Sequence, residues 1–146
     1  MNEIVSKPIE LGHPVDISFS DRALSRRQQI VLDRLPEYGS GGTFKKREVS
    51  MLDLAALTAK TGAEFAMFTC QGNRLIVRGD CERIPINLAK AAELHALGFR
   101  WSGHTHPGFS DASLIASDGD KRILKVFEQD RSAIYNAAGK YVLITL

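Results

Sequence analysis

The stretch from Trp101 to Asp120, WSGHTHPGFSDASLIASDGD, holds the residues whose types and spacing point most directly to chemistry. On an extended strand, residues i and i+2 share a face about 6 to 7 Å apart. His104 and His106 can therefore aim both imidazoles at one ion, with metal–nitrogen distances near 2.0 to 2.1 Å. A third ligand is still needed. Asp120 falls in the first turn of the next predicted helix, where the helix dipole favours a carboxylate, and the intervening loop is long enough to fold back onto the strand end. Three protein ligands leave a fourth position open, which is the arrangement of catalytic rather than structural zinc. The expectation is one Zn2+ per chain.

Ser117 and Asp120 also form a plain capping box, S-x-x-D, which a helix start alone would explain. The remaining histidines read as structural. His13 lies between Gly12 and Pro14, and His95 sits near a helix C-terminus, where an imidazolium is favourable. Cys70 and Cys81 make no C-x-x-C pair and read as free thiols.

The pattern G-H-T-H-P-G, preceded by an aromatic residue on the incoming strand and ending in S-x-x-D at a helix start, resembles the JAMM (MPN+, or JAB-type) zinc metallopeptidase motif. The likeness covers about residues 50 to 146 in element order and is strong in motif identity only over 103 to 120. It implies that His104, His106 and Asp120 are zinc ligands. It also implies that Ser117 hydrogen-bonds the oxyanion or the attacking water. Ten residues separate His106 from Ser117, a longer loop than the family's common form, so Asp118 and Asp111 stand as alternative ligands. The family requires an upstream glutamate that takes a proton from water and delivers it to the leaving amine. Glu64, opening the run EFAMFT after a helix, matches that position; Glu48 and Glu82 are the second and third choices. LIASDGDKRIL with SAIYN is similar to JAB-like domains of bacterial polymorphic toxins and phage-associated proteins. The resemblance implies hydrolysis of a peptide, an isopeptide bond to a ubiquitin-like protein, or a related amide. The rival readings are a non-catalytic MPN-type scaffold that binds proteins, and a secreted toxin effector domain with this fold.

Other zinc and phosphate chemistries fit less well. H-T-H-P-G-F-S-D also resembles the opening of the PHP phosphoesterases, but only 40 residues follow His106, too few for their barrel and further ligands. The H-x-E and P-C-x-x-C ligands of zinc deaminases are missing. Phe109 stands beyond Pro107 and Gly108, where a histidine-triad site would want another histidine, and neither a P-loop nor G-x-G-x-x-G occurs.

The elements that must position these residues are legible in part. Residues 1 to about 20 read as an extended arm, and a helix runs from Asp21 to Leu35, where Pro36 ends it. GSGGT at 39 to 43 reads as a flexible joint, so the compact domain is expected over 44–146 and the arm, helix and joint over 1–43. Ser50 and Asp53 form a capping box for a helix over 51–61 that stops at Gly62. EFAMFT and RLIVRG around QGN predict a hairpin. NLAKAAELHAL predicts a helix ending at Gly98, and FRWSG a strand leading into His104. Ser117 caps a helix through about Gln129 with Ile123, Leu124 and Phe127 inward. SAIYNAAGKYVLITL then predicts two strands turning at Ala137, Ala138 and Gly139. Helices alternating with hairpins imply an α/β (α+β) fold with a mixed sheet flanked by helices, and the resemblance implies the layered MPN/JAB-like, cytidine-deaminase-like variant.

The composition, 44% hydrophobic and 25% charged, is that of a globular domain. Nineteen basic against 17 acidic residues give a net charge of +2. The Arg26, Arg27 pair and the Lys45, Lys46, Arg47 run are solvated clusters rather than a nucleic-acid footprint. No stretch approaches the roughly 20 apolar residues of a membrane span, and the N-terminus lacks a signal peptide's apolar segment, so a cytoplasmic chain is expected, with export inside a larger system the alternative.

Overall fold

Residues 23–146 are described by the structure, a computed structural model; the expected arm over 1 to 20 and His13 lie outside them. Six strands form one mixed sheet: β1 (Gly41–Lys45), β2 (Phe65–Cys70), β3 (Asn73–Arg78), β4 (Arg100–His106), β5 (Arg131–Asn136) and β6 (Tyr141–Thr145). Their order is β1-β3-β2-β4-β5-β6. All neighbours are antiparallel except β4 and β5. Among the described residues there are four α-helices: α1 (Arg26–Asp33), α2 (Met51–Thr61), α3 (Leu88–Ala96) and α4 (Asp118–Val126). None is long and apolar enough to cross a membrane among the described residues.

Strand alternation sends neighbouring residues to opposite faces, and the sheet uses both. Phe65, Met67 and Ile76 point to a core shared with Val31, Leu35, Leu54 and Leu57. Ala66, Phe68 and Val77 point to a second core with Ala91, Leu94, Leu124 and Phe127. Helices α1 and α2 thus cover one face, α3 and α4 the other. Burying both faces is why the strand sequences read as continuous apolar runs rather than clean alternations.

Two expectations are corrected. The Gly-rich segment is no joint: Gly41 and Gly42 pair with Val77 and Ile76 as part of β1, and Leu35 and Phe44 enter the same core as Leu54. Glycine's low strand propensity is overridden here by an available ladder edge and by the space a missing side chain leaves for Phe44 and Leu35. Helix α1 is also shorter than the periodicity implied. Ser25 caps it through a capping box with Gln28, and its last turn closes at Arg34. The capping boxes expected at Ser50 and Ser117 are both formed, and Gly62 ends α2 at φ +77°.

Strand β4 carries one irregularity on which the site depends. Ala66 pairs with His104 and Met67 with Gly103, but Phe68 pairs with Trp101, leaving Ser102 unmatched in a β-bulge. Gly103 beside it faces α2, where a Cβ would lie 2.9 Å from the Ala133 backbone oxygen and 3.2 Å from the Met51 side chain. Gly103→Ala is therefore expected to cost about 1 to 3 kcal/mol of stability, as overpacking against backbone does. Chemical denaturation measures it, and an unchanged midpoint would contradict this steric account.

Candidate metal centre

The alternating positions of β4 send His104 and His106 to the α3/α4 face, while Thr105 turns to the other and meets Thr58 on α2 at 2.5 Å. Across from them, the capping box of α4 fixes Asp120. Ser117 Oγ accepts from the Asp120 N–H at 3.0 Å, and Asp120 Oδ2 accepts from the Ser117 N–H at 2.9 Å. The same carboxylate then reaches both imidazoles, Oδ1 to His104 Nε2 at 3.2 Å and Oδ2 to His106 Nε2 at 3.5 Å. The capping box and a metal site are alternative explanations of one motif; here the side chain that forms the cap also joins a His104–His106–Asp120 group that could hold a metal ion.

The two Nε2 atoms are 3.0 Å apart, and one donor atom from each of the three residues falls within a 4.8 Å circle. Tetrahedral ligands at about 2.0 to 2.1 Å from a zinc ion lie roughly 3.3 Å from one another, and the His104–His106 and His104–Asp120 Oδ1 separations are near that value. The outer contact of one histidine agrees: His106 Nδ1 donates to the Ser113 carbonyl at 2.9 Å, which leaves the Nε2 lone pair facing the cluster. His104 Nδ1 is buried without a partner, which is costly.

Electrostatics follow from burial and these contacts. Burial drives His104 below the usual imidazole range, against the pull of Asp120, which keeps the ring neutral. Burial also opposes charge on His106, but its hydrogen bond to Asp120 and the nearby Glu64 carboxylate outweigh it and raise its pKa. For Asp120, burial favours the neutral acid, yet the two imidazoles and the Ser117 N–H hold it well below the ordinary carboxylate range.

The long loop after His106 does not displace Asp120. Gly108, at φ +110°, turns the chain, and its carbonyl accepts from the Ala137 N–H at 2.8 Å. A short 3-10 turn over Asp111–Leu114 then buries Leu114 and brings the Ser113 carbonyl to His106. The alternative ligands are elsewhere: Asp111 pairs with Lys140 at 3.7 Å in solvent, and Asp118 is exposed.

Glu64 immediately precedes β2. Its backbone extends the ladder, donating to the Asp80 carbonyl at 2.8 Å and accepting from Gly79 N–H at 2.7 Å. Continuing the Ala66–His104 register sets Glu64 across from His106. Its side chain is 8% exposed and lines a cleft of about 510 Å³ together with His104, His106, Ser117 and Asp120. Burial pushes its carboxyl up to about 7, opposed by His106 and reinforced by Asp120 and Asp80. Glu82 lines the same cleft from an exposed loop. Glu48 is exposed and spent on the Lys45 N–H at 2.6 Å. His95 packs edge-on to Phe127, with Glu128 at 3.8 Å, as a structural histidine does. Both cysteines are free.

Sequence reasoning missed Ser113, which acts through a backbone carbonyl to which no side-chain pattern points. Trp101, legible only as the aromatic residue before the motif, stacks on His104 with ring centroids 4.9 Å apart; the signal for that placement is Gly103, since glycine inside a strand often marks a bulge.

Comparison with protein-family models, with curated proteins and with solved structures gives no match to this chain. Its functional reading therefore rests on the residues themselves.

Protein purified without chelator is expected to carry about one zinc per chain by mass spectrometry, and His106→Ala to lose it. A ligating imidazole must be neutral, and the contacts of His106 raise its pKa above the ordinary value, so protons compete for it from above about 6.5. Zinc affinity should accordingly fall as the solution is acidified; a pH-independent affinity would remove the histidines from the ligand set. Ser117→Ala should cost about 0.5 to 2 kcal/mol of stability through loss of the cap and also weaken zinc binding, because Asp120 loses its orienting partner. Weakened stability with zinc affinity intact would reduce Ser117 to a helix cap.

Proposed function

We propose that this protein is a zinc-dependent hydrolase that uses water to cleave a peptide, isopeptide or related amide bond, in the manner of the JAMM/MPN+ peptidases it resembles. The observation that carries the reading is the convergence of His104, His106 and Asp120 with a buried Glu64 on one face of β2 and β4. A purely structural ion site needs closure by a fourth protein ligand. Among the described residues only these three converge in this way, and the cluster opens onto the cleft.

When bound, zinc acts as a Lewis acid toward the scissile carbonyl and makes a nearby water more acidic. The chain's own groups supply the rest. Glu64, whose carboxyl burial pushes up to about 7, suits a group that must both take and give a proton. It accepts a proton from the water attacking the carbonyl carbon and passes it to the nitrogen as the C–N bond breaks. Ser117 Oγ accepts from the Asp120 N–H, so its hydroxyl hydrogen is left to donate into the cleft, toward the oxygen that gains charge. The substrate is a protein or peptide, with a ubiquitin-like conjugate one such class.

Glu64→Gln preserves size while removing proton transfer. It is expected to fold and retain zinc, with amide hydrolysis reduced by at least about 10²-fold. Zinc content and peptide cleavage measured on one preparation separate the two roles. Normal turnover in Glu64→Gln alongside a dead Glu82→Gln would move the base to Glu82. A zinc-loaded wild type that cleaves none of a broad peptide and ubiquitin-conjugate panel would turn the reading toward a binding module.

A further inference from the structure

Beyond the metal cluster, the cleft is walled by apolar side chains: Phe68 and Trp101 from the sheet, Ile123 from α4, and Ile84 and Ile86 from the segment joining β3 to α3. That segment is built rather than loosely draped. A Cβ at Gly79 would fall 2.1 Å from the Arg83 oxygen, so the chain closes tightly there only with glycine. Asp80 Oδ1 accepts from the N–H groups of Glu82 and Arg83, both at 2.8 Å. At its far end Asn87 caps α3 by accepting from the Lys90 N–H at 2.7 Å. Its near end is hydrogen-bonded to the backbone of Glu64 itself, so this wall is held in register with the candidate base.

Trp101 joins the two regions. The bulge at Ser102 turns it to the same face as His104, on which it stacks. Its main chain is pinned by Gln129, whose Oε1 accepts from the Trp101 N–H at 2.6 Å and whose Nε2 donates to the Trp101 carbonyl at 2.9 Å. Ser132 Oγ donates to that carbonyl as well, at 3.0 Å. A side chain lying against this wall sits next to a bond held at the metal centre. The charged groups of the cleft, Glu64 and Asp120 at the histidine cluster and the exposed Glu82, Arg83 and Arg122, lie outside this wall, whose own side chains are all apolar.

We infer that the substrate carries a large aliphatic or aromatic side chain on the residue adjoining the scissile amide, seated between Trp101, Phe68, Ile123 and the Ile84–Ile86 segment. This specificity rests on the hydrolase reading, and its test separates the two. Trp101 is the chain's single tryptophan, so its fluorescence reports occupancy of the cleft whether or not cleavage follows. The zinc-loaded protein is titrated with acetyl-Ala-X-Ala-amide peptides in which X is Leu, Phe, Gly, Asp or Lys. Cleavage is followed in parallel.

Leu and Phe peptides are expected to bind at least about tenfold more tightly than Gly, Asp or Lys peptides, the scale set by burying one such side chain. Cleavage should follow the same order. Ile84→Ala and Ile86→Ala, made separately in case one fails to fold, should narrow the Leu-to-Gly ratio severalfold with zinc content unchanged. Cleavage with no preference at X overturns the specificity and leaves the hydrolase standing. Selective binding of Leu and Phe without cleavage supports the apolar site and overturns the hydrolase. Equal fluorescence responses to all five peptides, with unchanged ratios in both variants, overturn the specificity outright.

Discussion

Strand β4 has to serve two neighbours with different demands, and the bulge at Ser102 reconciles them. On one side it runs antiparallel to β2, on the other parallel to β5. Beyond the bulge, the register sets Ala66 against His104 and brings Glu64 across from His106. A small residue opposite the buried imidazole leaves room for the cluster, and the carboxylate arrives where a proton acceptor is useful. Before the bulge, Trp101 would point away from His104 in a regular strand, because residues three apart face opposite ways. The extra residue turns it back. The candidate ligands, Glu64 and the apolar wall thereby meet on one face.

The other half of the site is held by a purely local interaction. The capping box of α4 satisfies two backbone N–H groups that a helix start would otherwise leave to water. Doing so fixes the Asp120 carboxylate at the correct angle for both imidazoles. Local order is thus converted into geometry between distant segments. The long loop between His106 and Ser117 tolerates its length because its middle is anchored: Leu114 in the core, Ser110 through Asn136 at 3.1 Å, and Ser113 through His106.

Burial sets the electrostatics of the cluster. Desolvation pushes the Glu64 carboxyl up to about 7, whereas the two imidazoles hold Asp120 well below the ordinary carboxylate range, so the buried charge there is paired rather than stranded. His104 Nδ1 is buried without a partner, and a buried polar atom left unsatisfied costs stability. Buried titratable groups with shifted pKa values concentrate at functional sites.

Much of this is local and therefore legible in the chain. H-T-H alternation sends two imidazoles to one face of any strand, S-x-x-D caps any helix, and Ser50, Asp53 and Gly62 bound α2 without help from the rest of the molecule. Those features depend on residues within four positions of each other, where backbone geometry is nearly fixed. The Gly-rich stretch at 39–43 went the other way, because whether glycine is a joint or a strand depends on an edge of β3 more than thirty residues distant. The same holds for Asp120, whose neighbours in sequence define its cap but not its reach to His104 and His106. Glu64 could be ranked ahead of Glu48 and Glu82 from its place before β2, but only the β2–β4 register sets it across from His106, and bringing Trp101 to the cleft required the bulge. Register slips of a single residue exchange the two faces of a strand, so which side chains share a site is decided only when strands far apart in sequence pair.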